Sequence, residues 1–256
     1  MKAGLGRIFI LLQAAQTIAL AGNSVVNLSH YDLMRPNFVQ MKEEGVLGVI
    51  HEATYPLLER DAYYSSRAAT AANAGLLWGA YHYADATDPI RQADHFLSMV
   101  LASAPQVQPP LKPTPVLLVL DFEKNGHYRG GTMRVDQAIS FVERIKERTG
   151  KYPGIYGSEN RLRQMLYGSG ATDAHRSVLS NCWLWIANYH NEPRATSPWR
   201  GWDLWQYTGD GKCGLRPRSA FPIGVANMRK AERNIFRGNN ALLQAFWKEH
   251  AWFPSG

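Results

Sequence analysis

The chain has 256 residues, 28 Lys+Arg against 21 Asp+Glu, a formal net charge of +7 and a pI near 9.4. Apolar residues make up 45% and charged residues only 19%, with 8 Trp, 12 Tyr and 9 Phe, which excludes a disordered chain and supplies one large core. The basic excess is scattered, and its densest cluster (Arg229, Lys230, Arg233, Arg237) is broken by Glu232, so it describes a solvated basic surface and no nucleic-acid partner is expected.

In chain order, Lys2 and Arg7 precede the apolar run Ile8-Phe9-Ile10-Leu11-Leu12, and Ala19-Leu20-Ala21 ends the segment. A basic start, a short apolar stretch and an A-x-A end are the parts of a secretory signal peptide, so residues 1–21 are expected to be a leader and 22–256 a single domain. Losing Lys2 and Arg7 takes the charge from +7 to +5. No other apolar run approaches the ~18 residues of a membrane span. Cys182 and Cys213 are too few for a disulfide scaffold; in an exported chain they could pair or stay free thiols.

Beyond residue 24, strands and helices alternate. Val25-Val26-Asn27-Leu28-Ser29 is a predicted strand, 36–44 an amphipathic helix stopped at Gly45, and 48–54 a second strand. Residues 61–74 are Ala-rich and helical, 76–83 form a third strand, and Asp88-Pro89 opens a helix through 101. A proline-rich loop leads into Val116-Leu117-Leu118-Val119-Leu120, a run suited to a strand buried on both faces. A helix over 135–148, a strand at 154–156 and a short helix near 160–167 follow, then strands over 183–189 and 202–207 with no helix between them. Alternating units of this length predict an α/β fold whose mainly parallel sheet closes into a barrel.

In such barrels the functional groups sit at the carboxyl ends of the strands. Those ends carry Asn27, Glu52, Tyr81 to Tyr83, Asp121, Glu123, Tyr156, Asn188 and Gln206. Asp121 and Glu123, two apart on one strand, face the same way about 6–7 Å apart along the chain. A close carboxylate pair pushes its two pKa values apart, as glycoside hydrolysis requires. Tyr81, Tyr83, Tyr156, Trp185, Tyr189, Trp205 and Tyr207 supply aromatic faces for stacking on sugar rings. No G-x-S-x-G or P-loop occurs, and no H-x-x-x-H or comparable spacing marks a metal site. Neither a metal nor a cofactor is expected.

The order of motifs resembles glycoside hydrolase family 25, the muramidase (lysozyme) family. The likeness runs from Val25 to Gly238 through Asn27-Leu28-Ser29, Gly48-Val49-Ile50-His51-Glu52-Ala53-Thr54 and Gly79-Ala80-Tyr81-His82-Tyr83. It continues through Leu120-Asp121-Phe122-Glu123, Ile155-Tyr156, Leu184-Trp185-Ile186-Ala187-Asn188-Tyr189, Leu204-Trp205-Gln206-Tyr207-Thr208 and Glu232-Arg233-Asn234-Ile235-Phe236. The resemblance implies an irregular TIM-like (β/α)5(β)3 barrel that cuts the β-1,4 bond between N-acetylmuramic acid and N-acetylglucosamine. Glu123 is then the general acid/base, and Asp121 orients the substrate's 2-acetamido group or acts as nucleophile. Asn27 and Glu232 stand at the family's other two catalytic positions. Glu52, Tyr81, Tyr83, Tyr156, Trp185, Asn188, Gln206 and Tyr207 are expected to bind substrate.

The implied partner is the glycan strand of peptidoglycan, met by a monomer that is secreted or periplasmic, or else a cytoplasmic phage-type lysin. Three positions depart from the family: Asn27 replaces Asp, Glu232 replaces Asp and Glu52 replaces Lys. The carboxylate missing at 27 either returns at 52, or the chain is a catalytically impaired peptidoglycan binder.

Overall fold

The computed structural model describes residues 24–104, 106–107, 112–194 and 197–254; the leader expected over 1–21 lies outside them. Eight strands form the barrel: β1 (Val25–Leu28), β2 (Gly48–Tyr55), β3 (Leu77–Tyr83), β4 (Val116–Asp121), β5 (Gly154–Ser158), β6 (Leu184–Ala187), β7 (Leu204–Thr208) and β8 (Glu232–Phe236). From β1 to β7 each strand pairs parallel with the next. β8 is antiparallel to both β7 and β1 and closes the sheet, with Asn27 opposite Glu232. A two-residue strand, Glu59–Arg60, folds back on the end of β2 and sets Asp61 beside it.

Helices α1 (Phe38–Glu43), α2 (Tyr64–Asn73), α3 (Pro89–Ala102) and α4 (Val135–Thr149) fill the first four crossovers. The fifth holds α5 (Glu159–Tyr167) and α6 (Asp173–Leu179), and α7 (Asn240–His250) follows β8. Five βα units and then three strands without intervening helices are the expected architecture. Local chemistry sets the boundaries. Asp88 caps α3 by accepting the Ile90 and Arg91 N–H groups, with Pro89 opening the helix. Gly150 ends α4 in the left-handed region at φ 73°.

Side chains alternate along the strands. Val25, Ile50, Leu117, Val119, Trp185, Leu204 and Phe236 form one cluster, which Leu243 and Trp247 of α7 complete. Val26, Val49, Trp78, Leu118, Leu120, Ile155, Ile186, Trp205 and Ile235 belong to the other, packed with the helices. Trp247 Nε1 donates to the Trp78 carbonyl at 2.9 Å, tying α7 to the strands. Cys182, buried, and Cys213, half-buried, are both free thiols. Among the described residues no helix is long and apolar enough to cross a membrane.

Candidate active site

The carboxyl ends of the strands surround a cavity of about 880 Å³. Of the twelve residues expected at the site, ten line it: Asn27, Glu52, Tyr81, Tyr83, Asp121, Glu123, Tyr156, Trp185, Asn188 and Glu232. Gln206 is 1% exposed and lies beneath the lining, where it braces other groups. Tyr207 does not reach the cavity. Side chains alternate along β7, so with Gln206 facing inward Tyr207 must face outward; it packs on Phe221 and donates its hydroxyl to the Pro222 carbonyl at 2.7 Å. Trp205 points outward for the same reason, and its Nε1 donates to the Asn188 carbonyl at 2.8 Å.

β4 runs apolar from Val116 to Leu120 and then releases Asp121 at its end, opposite Tyr83 on β3 and Tyr156 on β5. Desolvation pushes the Asp121 carboxyl well above the ordinary range, and the Glu123 and Glu52 charges add to it. Asp121 Oδ1 accepts the Glu123 N–H at 3.2 Å. Glu123 Oε1 accepts the backbone N–H of Ser158, the residue that caps α5, and Ser158 Oγ lies 3.5 Å from Oε2. β5 and α5 therefore orient the second carboxylate.

A hydrogen-bonded net joins the far wall. Tyr156 and Tyr189 both donate their hydroxyls to Gln206 Oε1, at 2.6 and 2.8 Å. Gln206 Nε2 donates to Asn27 Oδ1 at 3.1 Å and to Glu232 Oε2 at 3.3 Å. Asn27 Nδ2 donates to the same Glu232 oxygen, and Asn234 Nδ2 donates to Asn27 Oδ1 at 2.9 Å. Burial pushes the Glu232 carboxyl up to about 8, helped by the Asp32 and Asp210 charges. Asn27 thus supplies a donor where a carboxylate would face Glu232 directly.

Glu52 does not join this net. Its carboxylate contacts His30 Nδ1, in the turn after β1, and burial raises its pKa. The carboxylate at 52 is therefore met by the His30 imidazole, a pairing invisible in strand periodicity because His30 lies in a loop. Ser158 at the end of β5 also lines the cavity, as do Tyr31 and Arg194 from loop segments that carry no repeating pattern. The two strand histidines are structural. His51 Nδ1 donates to the Glu52 carbonyl at 2.7 Å, and burial holds its pKa near 3. His82 pairs with Thr54 and Gln92, each at 2.8 Å, and burial holds its pKa near 4.

The chain and its fold are similar to those of known proteins. The chain is 25% identical over 231 residues to lysozyme M1 of Streptomyces globisporus, covering 88% of this chain and 71% of that protein. Its fold is similar to the bacterial lysozyme from Streptomyces coelicolor, at TM-score 0.67 and 24% identity, covering 90% and 99% of the two chains. It is likewise similar to the muramidase from Trichobolus zukalii, at TM-score 0.65 and 21% identity, covering 88% and 98%. The model of glycosyl hydrolases family 25 matches residues 26–214, most of the barrel, and the chain is a glycoside hydrolase belonging to that family.

Proposed function

We propose that the chain is a peptidoglycan muramidase that hydrolyses the β-1,4 bond between N-acetylmuramic acid and N-acetylglucosamine. The observation that carries this reading is the placement of Asp121 and Glu123 at the mouth of β4, facing one cavity walled by Tyr83, Tyr156 and Trp185. Tyr83 and Tyr156 are partly exposed and offer ring faces, and the buried Trp185 backs Tyr156 with centroids 4.5 Å apart. Glu123, held by Ser158, protonates the leaving oxygen and later takes a proton from water. Asp121, recessed and slow to ionise, accepts or donates a hydrogen bond at the 2-acetamido group and so aligns its oxygen with the anomeric carbon. The basic chain is drawn to an anionic wall.

The test is clearing of purified cell walls together with analysis of new reducing ends. Wild type should release muramic-acid reducing ends, and Glu123→Gln should clear at least ~100-fold more slowly with its fold intact. Wild-type clearing by Glu123→Gln would remove Glu123 from the mechanism.

Asn27 favours a second reading, a wall-binding relative with impaired catalysis, because its amide is engaged by three neighbours: it donates to Glu232 and accepts from Gln206 and Asn234. Wall pelleting without clearing, together with a gain of clearing in Asn27→Asp, would support that reading over the first. Both readings place the barrel at the wall, so we also propose that residues 1–21 are removed on export. Sequencing of the exported protein should then begin near residue 22; an intact Met1 in wall-active material would point to a lysin that keeps the segment.

A further inference from the structure

Around Glu52, which lines the cavity, three elements bring together ligand atoms that no spacing in the sequence announces. His30 comes from the turn after β1, Glu52 from the middle of β2, and Asp61 from the segment between the fold-back strand and α2. One ligand atom from each lies within 4.8 Å of the others.

Asp61 is the informative member. It is 1% exposed, and its Oδ1 accepts the Tyr63 N–H at 2.7 Å. Its Oδ2 is buried with no hydrogen-bond partner. A carboxylate oxygen left bare in the interior is costly unless a positive group meets it. The nearby cation does not: Arg67 directs its guanidinium to the Ser29, Asp32 and Met34 carbonyls and to His51 Nε2. His51 does not either, because its Nδ1 donates to the Glu52 carbonyl and lies 3.6 Å from Asp61 Oδ2.

The other two ligands are already oriented. His30 Nε2 lies 3.2 Å from the Tyr128 hydroxyl, and the ring stacks on Tyr55 at 4.7 Å between centroids, which aims Nδ1 inward at Glu52. A ligating imidazole commonly has its second nitrogen fixed in this way. One neutral imidazole and two carboxylates carry two negative charges, matching a divalent cation. Mixed N/O donors of this kind suit a first-row transition ion such as Zn²⁺, whereas Ca²⁺ and Mg²⁺ favour oxygen ligands.

We propose that His30, Glu52 and Asp61 form a binding site for one divalent transition-metal ion, with Zn²⁺ as the representative. On entry the ion parts the His30–Glu52 contact to the ~3 Å that separates neighbouring ligands in a coordination shell. Three protein ligands leave a fourth position for water. The ion fastens the turn after β1 to β2 and the start of α2, and it holds Glu52 where that residue lines the cavity.

The test is calorimetric titration of the chelator-stripped full chain with ZnCl₂ alone, and Co²⁺ absorption as a spectroscopic report of the ligand set. The expected result is one Zn²⁺ per chain at micromolar or tighter Kd, no competition from millimolar Ca²⁺, and visible Co²⁺ bands indicating a nitrogen/oxygen set. Asp61→Asn and His30→Gln should each weaken binding at least tenfold. Should Asp61→Asn not fold, the half-buried His30→Gln decides, with circular dichroism confirming its fold. Absence of stoichiometric Zn²⁺ binding, or wild-type affinity in a folded His30→Gln, overturns the proposal.

Discussion

At the residue scale, the most consequential pair is Asn27 and Glu232. Burial holds the Glu232 carboxyl protonated to about pH 8, far above its ordinary 4.5. The folded state therefore binds a proton that the unfolded chain has released between those values. This contribution to stability is full below about pH 4.5 and is lost as the pH rises through about 8. Glu232→Gln should flatten the decline of stability from pH 5 to 8, read from urea midpoints across that range; an unchanged slope would remove Glu232 as its source.

Asn27→Asp removes a donor to Glu232 and sets two acids face to face. We expect it to cost about 1–3 kcal/mol at pH 8 and less at pH 5, where the Glu232 proton can bridge the pair. Urea unfolding at both pH values measures the difference. Ten of the twelve expected site residues line the cavity, because a parallel barrel presents its strand ends at one rim. Tyr207 departs from expectation because its neighbour Gln206 occupies the inward face and adjacent strand residues cannot share it. His30 and Asp61 of the proposed metal site are not legible in the sequence because loop residues meet only through the fold.

At the scale of elements, capping chemistry and periodicity foretold α1 to α5 within a few residues, since each has an amphipathic face or a clear stop. α6 escaped notice because only Leu179 of its seven residues is buried, leaving no apolar stripe to read. The approach of β5 to the segment before β6 depends on Gly154, where a Cβ would sit 2.3 Å from the Trp183 ring. Gly154→Ala should force that indole aside and destabilise the fold by about 1–3 kcal/mol, with a lower melting temperature as the readout. Because β5 also carries Tyr156 and leads into Ser158, the same variant should slow wall clearing beyond what unfolding accounts for.

Across the whole molecule, the barrel is closed by α7, whose Trp247 is 1% exposed and hydrogen-bonded to β3. Trp247→Ala should cost about 3–5 kcal/mol, a loss that a denaturant titration would detect. The seam between β1 and β8 joins residues 205 positions apart, and it is where Asn27 meets Glu232. That arrangement gives synthesis a built-in delay. A nascent or truncated chain ending before residue 232 carries the proposed acid/base but neither a closed barrel nor its last acidic wall, so the proposed wall-cutting competence is expected only once β8 has been made.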